Sequence, residues 1–436
     1  MQSVVEGCWL RTQKKLTNQR NLKMKFNQWT LGLAAVGVVS LASVVQAEEA
    51  AKPSSVMTTL SSTMLSGYVD TSAQWNLGTG NLNNPKYAFN TPNKADGFNL
   101  NVVKLTLEKP ADAADGWGAG YKTDLLFGPD ANFFNTTSSG LGNTVGSDFG
   151  IKQAYVDLKA PIGNGLDVKL GVFDTIVGYE VFESGNNPNF TRSYGYTIEP
   201  TTHTGVLASY QVCDMLGFSA GIANTFGPVI NSRAFPTANP FASGPKAESY
   251  KTYMGSASFT APKDWGWVAG STLYGGIING FNAGSINGGK ANQTSFYAGS
   301  TLNTPIQALK LGAAYDYAGV SKQPGVPNSG YANAASFYAT YQVTEKMSLN
   351  GRAEWFTQSK SQAVTGLPSK VFALTGTLQY DLWKNVISRL EARWDHQADG
   401  TGRAYGESNV NTLVTDPLGG SRRNAYEIIA NLVYKF

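Results

Sequence analysis

The chain has 436 residues, of which 42% are hydrophobic, 12% aromatic and only 15% charged, with 48 glycines and two histidines. Basic residues exceed acidic ones by 34 to 30, but the first 47 positions hold Arg11, Lys14, Lys15, Arg20, Lys23 and Lys25 against Glu6, leaving 28 against 29 in the remainder. A near-neutral chain offers no electrostatic footprint for nucleic acid, and a mean hydropathy of -0.21 excludes a bundle of membrane-spanning helices while suiting strands that are apolar on one face.

Met24-Lys25 opens a second possible start, followed by an apolar run from Leu31 to Val45 and by Val45-Gln46-Ala47 before Glu48-Glu49. The run is roughly 15 residues, short of the ~20 a spanning helix needs, so residues 1–47 read as a leader with a secretory signal peptide. Residues 48–63, with Lys52-Pro53 and a Ser/Thr-rich run, form a short periplasmic lead-in. Cys8 lies in the leader and Cys213 beyond it, and nothing resembles a thiol or zinc cluster.

From Met64 onward, period-two alternation predicts about sixteen strands. They fall near 64–76, 97–110, 115–127, 149–160, 164–173, 201–212, 214–225, 247–260, 264–279, 292–304, 306–318, 331–343, 345–357, 369–382, 384–396 and 421–436. Tight turns such as Pro161 to Asn164, Pro262-Lys263-Asp264, Thr304-Pro305 and Trp383-Lys384 take turns with long Gly/Asn/Ser/Pro-rich loops, the longest at 174–200. Strict alternation of short and long connections predicts an all-β fold. Residues 64–436 would form a transmembrane antiparallel β-barrel with short periplasmic turns and long extracellular loops.

Side-chain parity assigns the faces. Leu349, Gly351, Ala353 and Trp355 oppose Asn350, Arg352 and Glu354; Val386, Ser388, Leu390, Ala392 and Trp394 oppose Arg389, Glu391, Arg393 and Asp395. An Arg at the lipid midplane costs about 2–4 kcal/mol, so the charges are expected to face a watery lumen. Trp117, Trp265, Trp267 and Trp383 lie by short turns, and Trp75, Trp355 and Trp394 toward long loops, as two interfacial girdles require. The chain ends at Phe436 on the apolar face shared by Tyr426, Ile428, Leu432 and Tyr434. That pattern resembles the closing-strand signal read by the bacterial barrel-assembly machinery.

The stretch Leu170-Gly-Val-Phe-Asp-Thr-Ile-Val-Gly-Tyr-Glu180, continued through Glu183-Ser-Gly-Asn-Asn-Pro-Asn-Phe-Thr-Arg192 and Glu199-Pro-Thr-Thr-His-Thr-Gly205, resembles the OmpL-like β-barrel porin family, as does the opening Leu65-Ser-Gly-Tyr-Val-Asp70. The resemblance implies a bacterial outer-membrane channel in contact with lipid, passing small hydrophilic solutes or ions without a cofactor. By analogy with general diffusion porins, it also implies a homotrimer and an inward-folded loop after the fifth strand. In that analogy Tyr179, Glu180, Glu183, Arg192 and Glu199 line a pore constriction. The opposing pore wall is Arg352, Glu354, Arg389, Glu391 and Arg393, and charged rings of this kind select ions.

Enzyme signatures are sparse. His203 and His396 belong to no metal or hydrolase cluster, and Gly116-Trp-Gly-Ala-Gly120 lies in strand sequence without a following helix. Glu354, Glu391 and Asp395 could form an acid/base pair, but neighbouring arginines favour a charge network. Two other readings stay open: a non-conducting barrel serving adhesion or envelope structure, and a barrel lipase pairing one histidine with an outer-face serine.

Overall fold

The alternation folds as strands. The computed structural model describes residues 62–78, 83–111, 116–134, 148–234, 250–281, 292–322, 328–360, 365–400, 402–406 and 419–436. The leader and nearly all of the lead-in lie outside them. The described strands are β1 (Met64–Asn76), β2 (Gly97–Lys109), β3 (Gly118–Phe127), β4 (Phe149–Ala160), β5 (Leu166–Asp174), β6 (Thr202–Cys213), β7 (Leu216–Ala223) and β8 (Thr252–Thr260). They continue as β9 (Thr272–Phe281), β10 (Asn292–Asn303), β11 (Leu309–Val320), β12 (Gly330–Gln342), β13 (Met347–Gln358), β14 (Lys370–Trp383), β15 (Val386–Gln397) and β16 (Asn424–Lys435). Among the described residues two short helices, α1 (Pro129–Phe134) and α2 (Tyr194–Ile198), sit in connections.

Each strand pairs antiparallel with its chain neighbours, and β1 pairs with β16, so the sheet closes. Closure is what lipid demands, because hydrocarbon cannot satisfy an open edge. At the seam the Gly67 N–H donates to the Phe436 carbonyl and the Phe436 N–H to the Gly67 carbonyl, both at 3.0 Å. A Cβ on Gly67 would stand 2.3 Å from the Lys104 carbonyl oxygen and 2.6 Å from the Phe436 ring. Only glycine lets β1 lie this close to the chain terminus.

Parity separates the faces as predicted. Leu390 is 54% exposed whereas its neighbours Arg389 and Glu391 are 4% and 1% exposed. Tyr426, Ile428, Leu432, Tyr434 and Phe436 are all exposed on the outward face of the closing strand. Exposed Trp117, Trp265, Trp267 and Trp383 lie by the short turns, while Trp75 and Trp355 lie toward the opposite rim.

One boundary differs clearly. The strand expected at 264–279 is β9, which begins only at Thr272. Pro262 does start a turn, but the chain then makes a 3-10 turn over Gly266–Val268, with Gly266 and Gly270 at positive φ. Pairing resumes when the Ala261 N–H donates to the Ser271 carbonyl at 2.8 Å. Glycine permits the left-handed steps, and the two tryptophans are held at the rim rather than in a strand.

The inner wall is not uniformly polar. On β6 to β11 the inward positions include buried Leu207, Ala223, Met254, Ile278 and Ala314, which pack with Phe173 and Tyr274 into an apolar cluster.

Candidate functional site

Between β5 and β6 the chain enters the barrel. Residues 175–201 form a loop whose neck is closed by the Thr175 N–H donating to the Thr201 carbonyl at 2.9 Å. The buried His203 places Nε2 3.2 Å from Thr175 Oγ1 at that neck. His396 pairs Nδ1 with Asn424 Oδ1 at 2.9 Å. Neither imidazole is thus engaged to a serine hydroxyl.

The descending limb packs on the small-residue wall. Tyr274 donates its hydroxyl to the Ile176 carbonyl, and a Cβ on Gly276 would meet Val177 at 2.8 Å. Tyr179 stacks on Tyr338 with ring centroids 4.1 Å apart, and its hydroxyl occupies the space a Cβ on Gly312 would need. The chain then crosses to β1, β2 and β4, where Glu183 pairs with Lys104 and Lys152 and the Ser184 hydroxyl donates to Asp70. At the tip, Asn186 accepts from Lys435 Nζ at 3.0 Å, near the periplasmic end of β16.

The returning limb is held by β13, β14 and β15. The N–H groups of Phe190 and Thr191 donate to the Glu391 carboxylate at 2.6 and 2.9 Å. Arg352 and Arg393 donate to the Arg192 carbonyl at 3.3 and 2.9 Å, and Arg389 to the Ser184 carbonyl at 2.8 Å. Ser193 caps α2 by accepting from the Tyr196 N–H. Tyr194 donates its N–H to Glu354 and its hydroxyl to Asp395, each at 2.6 Å. Above this, Arg393 lies 4.0 Å from the Tyr87 ring centroid and Arg192 5.3 Å from that of Phe89, as cation–π contacts.

These contacts place the expected site residues. Tyr179, Glu180, Glu183, Arg192 and Glu199 all lie on the inward segment, and Arg352, Glu354, Arg389, Glu391 and Arg393 all touch it or its partners. The expected spacing across water differs at the centre. Glu180 is 2.8 Å from Arg352, and neither side chain is exposed. Arg352 also reaches Glu354 at 2.8 Å, and Arg393 bridges Glu354 at 3.8 Å and Asp395 at 2.8 Å. Charges removed from water need both partners and hydrogen bonds, which the segment's backbone supplies.

Two acids on the segment are perturbed. Burial pushes the Glu183 carboxyl up, but Lys104 and Lys152 outweigh it and hold the group well below the usual carboxylate range. Burial followed by the neighbouring Asp316 carboxyl, with which it shares a hydrogen bond, pushes Glu199 well above that range.

Other anchors were not singled out from sequence: Asp70, Lys104, Lys152, Asp316 and Tyr194. Their parity put the strand residues inward, but only the path of the segment decides which inward groups it meets. Among the described residues no cluster of His, Cys, Asp and Glu could hold a metal.

The family model described as "Putative beta-barrel porin-2, OmpL-like" matches residues 62–428. The chain belongs to that family. This porin is a bacterial outer-membrane channel protein. Its fold is similar to the anion-selective porin from Comamonas acidovorans, at 12% identity and a TM-score of 0.54, covering 86% of this chain and 99% of that one. It is also similar to Salmonella typhi OmpF in complex with daunomycin, at 12% identity and a TM-score of 0.52 over 86% and 97% of the two chains. DcaP of Acinetobacter baumannii is similar at 11% identity and a TM-score of 0.51 over 86% and 97%. No curated protein matches the chain.

Proposed function

We propose that the porin is a passive diffusion channel for small hydrophilic solutes or ions, and that segment 175–201 is its constriction. One observation carries the reading: the segment reaches strands on opposite sides of the lumen, from Tyr274 and Tyr338 to Lys104 and Lys152. Ordering each residue costs about 1–2 kcal/mol, so a loop held along its length by buried ion pairs supports a fixed aperture rather than a loose rim. In this reading Glu180 and Arg192 stiffen the segment, with Arg352, Glu354, Arg389, Glu391 and Arg393 as its wall anchors. Tyr179, Glu183 and Glu199 keep part of their surface toward water.

Chemistry plays no part in this proposal, since diffusion down a gradient needs neither catalyst nor cofactor. Tyr426, Ile428, Leu432, Tyr434 and Phe436 act as the assembly signal for the barrel-assembly machinery and then face lipid, after a signal peptide in the leader has directed export. A homotrimer remains part of the proposal.

The double variant Glu180→Gln/Arg352→Gln tests the constriction role in planar bilayers. It is expected to change unit conductance and its noise, since the segment loses its central tie. A unit conductance identical to that of the unaltered protein would reject the role.

A further inference from the structure

Inside the barrel the arginines are withdrawn from solvent. Arg192, Arg352, Arg389 and Arg393 are all at most 5% exposed, and segment carbonyls, wall carboxylates and Gln379 take up most of their donors. What water meets instead is set on β2 to β5. There, three ion pairs share an orientation. In Lys152–Asp174, 2.5 Å apart, the lysine side chain is 3% exposed and the aspartate 27%. In Lys122–Glu108, 3.4 Å apart, the values are 5% and 25%. In Lys104–Glu183 they are 8% and 17%.

The three exposed carboxylates are spread along the lumen. Asp174 ends β5 at the outer side, Glu183 sits on the inward segment, and Glu108 lies next to the last residue of β2 at the periplasmic side. Each pair is a dipole whose acid is the more exposed member, although Asp174 keeps Oδ1 buried. A solute in the lumen therefore meets the acid at closer range than the lysine behind it, and Coulomb attraction falls with distance. The opposite order occurs for Lys104–Asp124, 8% and 0% exposed and 3.0 Å apart, and for Lys159–Asp167, 42% and 28% exposed and 3.9 Å apart. Lys310 and Lys435 likewise lie near the periplasmic ends of β11 and β16. Lys159, Lys310 and Lys435 share the periplasmic mouth with Glu108, where salt screens either sign within about 10 Å, whereas Asp174 and Glu183 lie further along the path.

Resting on the channel reading, we infer that this porin is cation-selective, and that Asp174, Glu183 and Glu108 are its specificity-determining residues. They act on the passing ion by lining its path with negative charge, while the buried lysines hold the carboxylates in place.

The test is the reversal potential of the purified protein in a planar bilayer under a potassium chloride gradient. Potassium is expected to permeate better than chloride. Glu108→Gln, whose residue touches no part of the segment's anchor set, should lower the permeability ratio severalfold, since one charge near 5 Å in water is worth up to about fourfold on the cation alone. Glu183→Gln should lower it comparably. A ratio at or below one in the unaltered protein overturns the inference, as does an unchanged ratio in both variants. A correctly folded barrel that carries no current contradicts the channel reading on which the inference rests.

Discussion

Glu180 and Arg352 stand 2.8 Å apart with both side chains sealed from solvent, tying a loop to the barrel wall at β13. The same guanidinium donates to Glu354 and to the Thr191 carbonyl at 2.8 and 2.6 Å. One arginine thus joins both limbs of the segment to β13.

Arg352→Ala leaves Glu180 and Glu354 buried without their cation, and breaking such a pair from one side costs about 3–5 kcal/mol. The variant is expected to unfold at lower temperature, read as the heat-dependent shift in electrophoretic mobility of the detergent-solubilised barrel. Its segment should also become cleavable by added protease. Arg352→Lys restores the charge but not the planar fork, so it should recover only part of the loss.

Gly67→Val tests the seam. The added side chain meets the Lys104 carbonyl and the Phe436 ring, which sit on opposite sides of β1. Because an unclosed edge cannot persist in lipid, assembly yield in the outer membrane should fall sharply. Gly351→Ala, where a Cβ meets nothing within 4 Å, should assemble normally.

Glu199 predicts a pH dependence. Burial first and the Asp316 carboxyl second raise its folded pKa well above the unfolded value near 4.3. The folded state therefore holds the proton longer, and this stabilisation is complete below the unfolded value and lost as pH rises through the folded one. Above the unfolded carboxylate value, where the contribution of the Lys104- and Lys152-paired Glu183 is complete, protection of segment 175–201 against protease is expected to weaken with rising pH. Glu199→Gln, which keeps a neutral hydrogen-bonding side chain, should flatten that profile. Protection that increases with pH above the unfolded value would contradict the assignment.

Much of the fold was legible because lipid imposes one rule on every strand. Leu390 beside Arg389 and Glu391 has a single affordable orientation, and repetition along the chain yields sixteen strands and their faces. The start of β9 was hidden because the tryptophans of the Gly266–Val268 turn resemble strand residues. The inward segment was legible as the longest connection and by its charged residues. Its contacts were not: whether Glu183 meets Lys104 or Arg389 depends on the path of the backbone, which parity does not encode. For the same reason the expected water between Glu180 and Arg352 is replaced by direct contact.

The central claim is a lipid-embedded barrel whose lumen is narrowed by segment 175–201. Single-channel recording of the purified, unheated protein tests it most directly. The prediction is discrete conductance steps whose size changes when Glu180 and Arg352 are both replaced by glutamine. A folded barrel that inserts into the bilayer and stays electrically silent with and without those replacements would contradict it.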